Sequence, residues 1–153
     1  MKKILSIIAI CIIGVLAFTG CTKEENIEGS LPEIMDKLYE GIKDEEKPMM
    51  LSNIEIDDES FEYYTFIKTE YKEALASESM VGSIPHSVVL IRLNDASKAK
   101  EVVEEIKANA NPSKWICVTA KNVEVLSKGD LVVLIMSNDD LAPRIKANFE
   151  NLK

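Results

Sequence analysis

The sequence predicts an α+β domain: a four-stranded, mainly antiparallel sheet with helices packed on one face, in the order α-β-β-α-β-β-α. Three observations lead there. Apolar residues recur at helical spacing in three segments. Runs such as Ser87 to Leu93 and Leu131 to Met136 are short, aliphatic and β-branched, as strands are. A glycine-containing turn, Ser127-Lys128-Gly129-Asp130, joins two such runs.

Taken in order, Ser30-Leu31-Pro32-Glu33 has the form of a capping box, with Pro in the first turn. Leu31, Ile34, Met35, Leu38, Tyr39 and Ile42 follow on one stripe, so the first helix is expected over 31–43. Phe61 to Ile67 is aromatic and β-branched and reads as a strand; Ser87 to Leu93 reads as a central one. Asn94-Asp95 can cap the next helix, with Ala99, Val102, Val103 and Ile106 buried and its end near Asn109, ahead of Asn111-Pro112. Strands over 123–126 and 131–136 then form a hairpin, with Gly129 expected at the second central position of its turn. Asn138-Asp139-Asp140 starts a last helix carrying Leu141, Ile145, Phe149 and Leu152 on one face. The repeated ββα order hints at a weak internal duplication.

The first twenty residues carry Lys2 and Lys3 and no acid, and 4–18 is an almost unbroken apolar run. That is the plan of a secretory signal peptide. A single-pass anchor is the competing reading, but the run is short for a bilayer core of about 30 Å. The run breaks at Phe18-Thr19-Gly20-Cys21, which resembles the lipobox of bacterial lipoprotein precursors. The resemblance implies that the Cys21 thiol takes a diacylglyceryl group and becomes the first residue after cleavage. One acyl chain holds a protein to a membrane only marginally, whereas two make a stable anchor. The expected organisation is therefore a signal peptide over 1–20, a lipidated tether over 21–29 and a single domain over 30–153. Thr22 to Gly29 is polar and aperiodic, and eight extended residues reach roughly 28 Å.

Removing residues 1–20 takes away two lysines and no acid, so the net charge moves from −8 to −10 over 133 residues. A chain of that size can bury a core without staples. So acidic a domain does not suit nucleic acid, and it repels anionic lipid headgroups. Of the three cysteines, Cys11 leaves with the signal and Cys21 is lipidated. Cys117 is then alone and is expected to be buried as a small hydrophobe.

No catalytic motif stands out. The single histidine, His86, precedes Ser87, and neighbours on a strand point to opposite faces, so the pair cannot act together. One His and one thiol do not build a zinc site. The acids Asp57-Asp58-Glu59 with Glu62 lack the glycine and alternation of a calcium loop and read as a solvated face. The six glycines are scattered, so no phosphate loop and no cofactor is expected.

The chain from Leu31 to Met136 resembles a family of small Firmicute lipoproteins known only as a domain of unknown function. The residues that carry the resemblance are Asn111-Pro112, Asn122-Val123-Glu124-Val125 and the run from Lys128 to Ser137. Trp115 and the stretch 76–85 depart from its pattern. It implies a small α+β lipoprotein and brings no activity.

The functional expectation is a monomeric, non-enzymatic binding or interaction module, lipid-anchored on the outer face of the bacterial cytoplasmic membrane. Its partner would be an envelope protein or an extracellular ligand. A carboxylate-using envelope enzyme and a passive structural lipoprotein are the alternatives. The candidate site lies in 68–86, a connection of 19 residues between two predicted strands, much longer than ordinary hairpin loops. Tyr71 to Ala76 reads as a short helical turn within it. Tyr71, Met80, Gly82 and His86 are the candidate binding residues, with small neighbours that let a ligand approach the backbone.

Overall fold

The computed structural model describes residues 26–153. The signal peptide, Cys21 and most of the tether lie outside the described residues. The fold is α+β, but the sheet has five strands and is antiparallel throughout, in the order β1-β2-β3-β5-β4. The strands are β1 (Leu51–Glu55), β2 (Glu73–Ser79), β3 (Ser87–Arg92), β4 (Asn122–Lys128) and β5 (Leu131–Ser137). The helices are α1 (Leu31–Leu38), α2 (Phe61–Thr65), α3 (Ala99–Asn109) and α4 (Ala142–Glu150).

The helices cover both faces of the sheet, not one. Every residue of β3 and β5 is buried. Their side chains alternate: Val88, Leu90, Leu131, Val133 and Ile135 pack with α1 and α4, while Val89, Ile91, Val132, Leu134 and Met136 pack with α3. A strand with apolar residues at consecutive positions needs a cover on each side. The expected duplication also fails here: α3 and α4, which would be equivalent, lie on opposite faces.

Three local expectations are corrected. The expected strand over 61–67 is not formed; its first five residues are helix α2. Asp57 takes the Ser60 amide on its carboxylate, its carbonyl accepts the Phe61 amide at 2.8 Å, and Phe61 and Thr65, one turn apart, are the buried pair. The Asp-Asp-Glu-Ser approach is a helix start, and it outweighs aromatic strand preference. The first helix stops at Leu38, five residues early, because 39–42 tighten into three-residue turns and Gly41 takes φ +73°. In the β4–β5 hairpin Lys128 pairs with Leu131, so Gly129, at φ +58°, occupies the first central position, one place from that expected.

The 19-residue connection is mostly strand β2, paired with β1 on one side and β3 on the other. No helical turn forms at Tyr71 to Ala76. Strand β1, polar and exposed at three of its positions, gave no alternation to read.

The folded part starts earlier than Ser30. Ile27 is 3% exposed and joins the α1 face of the core. Arg92, at the end of β3, holds this entry: it donates to the carbonyls of Ile27 and Gly29, each at 2.8 Å. The same guanidinium pairs with Asp130 at 3.1 Å and Glu73 at 2.8 Å. Removing one partner of a buried pair leaves an uncompensated charge. Arg92→Met is therefore expected to destabilise the domain by about 3–5 kcal/mol in urea unfolding. Adding Asp130→Leu should restore part of that loss. A single variant with unchanged stability would refute the assignment.

Candidate functional site

The four candidate residues do not converge. Tyr71 and Met80 are nine residues apart at opposite ends of β2, roughly 30 Å of extended chain. Tyr71 stacks on Phe61, ring centroids 4.1 Å apart, and donates to Asp58 at 2.8 Å. Burial, and then the Asp58 carboxylate, push its phenol up to about 12. It lines an open cleft of about 430 Å³ beside Glu55 and Glu73. Two of its polar side chains are engaged within the fold, Tyr71 with Asp58 and Glu73 with Arg92. Met80 is exposed in the β2–β3 turn. Gly82 faces open space, with nothing within 4 Å of the position a Cβ would take.

His86 is the exception. It is not a loop histidine in solvent but 1% exposed. Its Nε2 lies 2.7 Å from the Tyr39 hydroxyl and its Nδ1 2.7 Å from Ser137 Oγ. Ser87, its neighbour, turns to the other face and takes a hydrogen bond from Lys114. Tyr39 belongs to the turn that ends α1, and Ser137 is the last residue of β5. The three are brought together because residues 77, 86 and 137 fall on the α1 side of their strands.

Above this chain lies an open groove of about 480 Å³ between α1 and β1. Met35, Asp36 and Tyr39 form one wall, Leu51 and Asn53 the other, Lys47 also lines it, and Ser77 of β2 lies on its floor. The Ser77 hydroxyl is 1% exposed as a residue and has no hydrogen-bond partner of regular geometry, although the Tyr39 hydroxyl is its neighbour. Such a buried hydroxyl costs about 1–3 kcal/mol while it stays unmatched.

Burial pushes the His86 imidazole down to about 4, so it is neutral near pH 7 and carries one ring proton. Two orders are possible. If that proton is on Nδ1, it goes to Ser137, and the Ser137 hydroxyl proton has nowhere to go; His86 is its one side-chain partner among the described residues. If it is on Nε2, Ser137 donates to Nδ1, Nε2 donates to Tyr39, and the Tyr39 proton is held out toward Ser77 and the groove. Each order leaves one hydroxyl proton unmatched, that of Ser137 in the first and that of the Tyr39–Ser77 pair in the second. Ser137, which sits at base distance from His86, is shut away at 1% exposed and cannot meet a substrate. Burial also raises the Tyr39 phenol pKa, so this hydroxyl keeps its proton.

Sequence reasoning placed Tyr39 in a core stripe and Ser77 among small loop residues, and passed over Ser137. The available signal was a serine closing an aliphatic run, Ile135-Met136-Ser137.

A second polar cluster lies on the other face. The Lys114 ammonium pairs with Glu78 at 3.1 Å. It also stands 5.0–5.2 Å from the rings of Tyr63, Tyr64 and Trp115. Burial lowers the Lys114 pKa against the pull of Glu78, and Trp115 donates to the same carboxylate. This pins residues 111–120 over the sheet and is satisfied from within. Cys117, expected to be buried, is exposed in that loop at φ +68°. The acids of 57–62 are dispersed: Asp57 to Ser60, Asp58 to Tyr71, Glu62 to Lys68. Among the described residues no group of three metal-ligating side chains gathers, and no helix is long and apolar enough to cross a membrane.

Comparisons with protein-family models, with curated proteins and with solved structures find no match to this chain.

The buried imidazole makes stability depend on pH. Between 6.5 and about 4 the unfolded chain binds a proton at His86 that the folded chain refuses. Stability is therefore full above pH 6.5 and falls as pH drops through that window. The loss should reach about 3 kcal/mol at its lower end, at about 1.4 kcal/mol per pH unit. Urea unfolding at pH 7 and pH 5 should show a decline that His86→Gln, less stable at pH 7, does not share. Equal slopes for the two proteins would refute a neutral buried His86.

Proposed function

We propose that the mature chain is a lipoprotein anchored through Cys21 to the outer face of the bacterial cytoplasmic membrane. Its folded domain is a non-catalytic binding module for an envelope protein or an extracellular ligand, with the groove between α1 and β1 as its seat. The anchor rests on the lipobox-like Phe18-Thr19-Gly20-Cys21 and the apolar run before it. The binding role rests on one observation: the buried, unmatched Ser77 hydroxyl on the floor of an open groove. Natural folds leave few such groups, and a ligand contact is one way of matching them.

Two experiments test the two halves. Cys21→Ser should abolish labelling by a fatty-acid analogue and release the protein from the membrane fraction. A variant that stays membrane-bound as an uncleaved precursor would favour a transmembrane anchor instead. For the groove, Asn53→Trp places a large ring on its exposed rim. Protein purified gently from its own envelope should carry a bound species in native mass spectrometry that this variant lacks, at unchanged melting temperature. Identical spectra for both proteins would remove the groove as the seat.

A further inference from the structure

We infer that the thioethers of Met49, Met50 and Met80 form a site for one soft monovalent cation of the copper(I) class, where β1 begins and β2 ends. The site goes beyond the binding role proposed above and does not rest on the Ser77 groove.

Three observations carry the inference. The first is where the methionines sit. Met35 and Met136 are buried, whereas Met49, Met50 and Met80 are 68%, 68% and 59% exposed. Tyr63, Ile116 and Val123, the other exposed large apolar residues, belong to α2, the 111–120 loop and β4. The large apolar side chains exposed where β1 and β2 meet are thus all thioethers. The second observation is that the backbone holds the three together. Leu51 pairs with Ser79, and the Met80 amide donates to the Met50 carbonyl at 3.1 Å, so Met50 and Met80 face each other on the next rung. The Ser79 hydroxyl donates to the Met49 carbonyl at 2.8 Å and accepts the Val81 amide at 3.2 Å, which ties the turn at 49–50 to the one after β2. Met50 has φ +52°, and this breaks the strand alternation that would send Met49 and Met50 to opposite faces. Partners across an antiparallel ladder hold their Cβ atoms about 4.5–5.5 Å apart. Each thioether turns on three rotatable bonds, so the sulfurs can reach a common ion. The third observation is the chemistry of the donors. Thioether sulfur is neutral and soft, and soft ligands select copper(I) over harder divalent ions. Among the described residues no group of three His, Cys, Asp or Glu side chains gathers to favour a harder ion. The chain's net charge of −8 attracts cations in general. An apolar partner would be served equally well by leucine, whereas a soft ion would not.

The methionines themselves report the outcome, with silver(I) as a redox-inert probe of the same charge and softness. The full lipidated protein in nanodiscs carries Cys117→Ser, so that its exposed thiol does not capture the ion. It is labelled at its methionine methyl carbons and titrated with silver nitrate in chloride-free buffer. The methyls of Met49, Met50 and Met80 should shift together and saturate at one ion per chain, while those of Met35 and Met136, in the two cores, stay fixed. Copper(I), kept reduced by ascorbate, should displace silver(I) from the same three methyls, and zinc(II) should move none of them. Loss of an outer partner of a metal's ligand costs about 10- to 100-fold in affinity, so Met49→Leu, Met50→Leu and Met80→Leu should each weaken silver(I) binding by at least about 10-fold, at unchanged melting temperature. Silver(I) affinity kept in all three leucine variants, shifts that never saturate, no displacement by copper(I), or an equal response to zinc(II) overturns the proposal. Methyls that ignore silver(I) overturn it as well and leave the three methionines as an apolar patch. None of these outcomes bears on the Ser77 groove, which the Asn53→Trp comparison tests separately.

Discussion

The two-sided burial of β3 and β5 is the constraint on which the rest of this structure depends. All six positions of β3 and all seven of β5 are closed to water, and each large apolar side chain so buried contributes about 1.5–3 kcal/mol. Neither set of faces can be left bare, so α1 and α4 must cover one side and α3 the other. Antiparallel sheets more often keep a wet face. Here that option is closed by Leu131-Val132-Val133-Leu134-Ile135-Met136, which has no polar position to turn outward. The edge strands are released from this constraint. Strand β1 pairs with β2 alone, is exposed at most of its positions, and forms the open wall of the groove.

Apart from Ser77, the buried polar side chains among the described residues are paired, and they gather at the strand ends. Arg92 with Asp130 and Glu73 closes one end. At the other, His86 with Tyr39 and Ser137 lies on the α1 face, and Lys114 with Glu78 lies on the α3 face. The last pair carries its own aromatic surround and matches its charges internally. The His86 chain differs because it runs out at the groove, where the Tyr39 hydroxyl neighbours Ser77, a buried serine without a hydrogen bond of regular geometry. A structural network would close on itself, as the Lys114 cluster does. This one ends in an opening large enough for several ligand atoms.

Much of the fold was legible. The capping box of α1, the stripe of α3, the β4–β5 hairpin and strand β3 all lie where spacing and turn chemistry put them, with boundaries within a few residues. The failures have physical causes. Phe61 to Thr65 carries strand-forming side chains, but Asp57 and Ser60 fix a helix start just ahead of it, and a cap is local whereas strand preference depends on neighbours. Strands β1 and β2 were missed because neither has an apolar/polar alternation: β1 is mostly wet, and Ala74 to Ser79 is built of small residues between buried sheet partners. The single-faced sheet was an avoidable error, since the unbroken apolar runs of β3 and β5 already required cover on both sides. Of the site, His86 was visible as the lone histidine. Tyr39, Ser77 and Ser137 were not, because their meeting depends on which face each strand turns toward α1, and that follows from a register no local pattern states.

The placement of the chain's entry gives the proposed anchor a geometry. Arg92 fixes Ile27 and Gly29 at the end of β3 where β2 begins and β5 begins. His86 and Ser137 mark the opposite end, where β2 finishes and Met80 emerges. Six residues of extended strand separate His86 from Arg92, roughly 20 Å. If the chain is tethered through Cys21 as proposed, the end of the sheet at Arg92, where Ile27 enters, would be the one nearer the lipid. The acidic surface acts in the same direction, since anionic headgroups repel it within about a Debye length. A ligand seat at the membrane-distal end of a short tether is open to partners in the envelope space. A seat at the Arg92 end would be crowded by the entering chain. Under that proposal, the same buried guanidinium that ties the first described residues to the sheet would also decide which end of the domain lies away from the membrane.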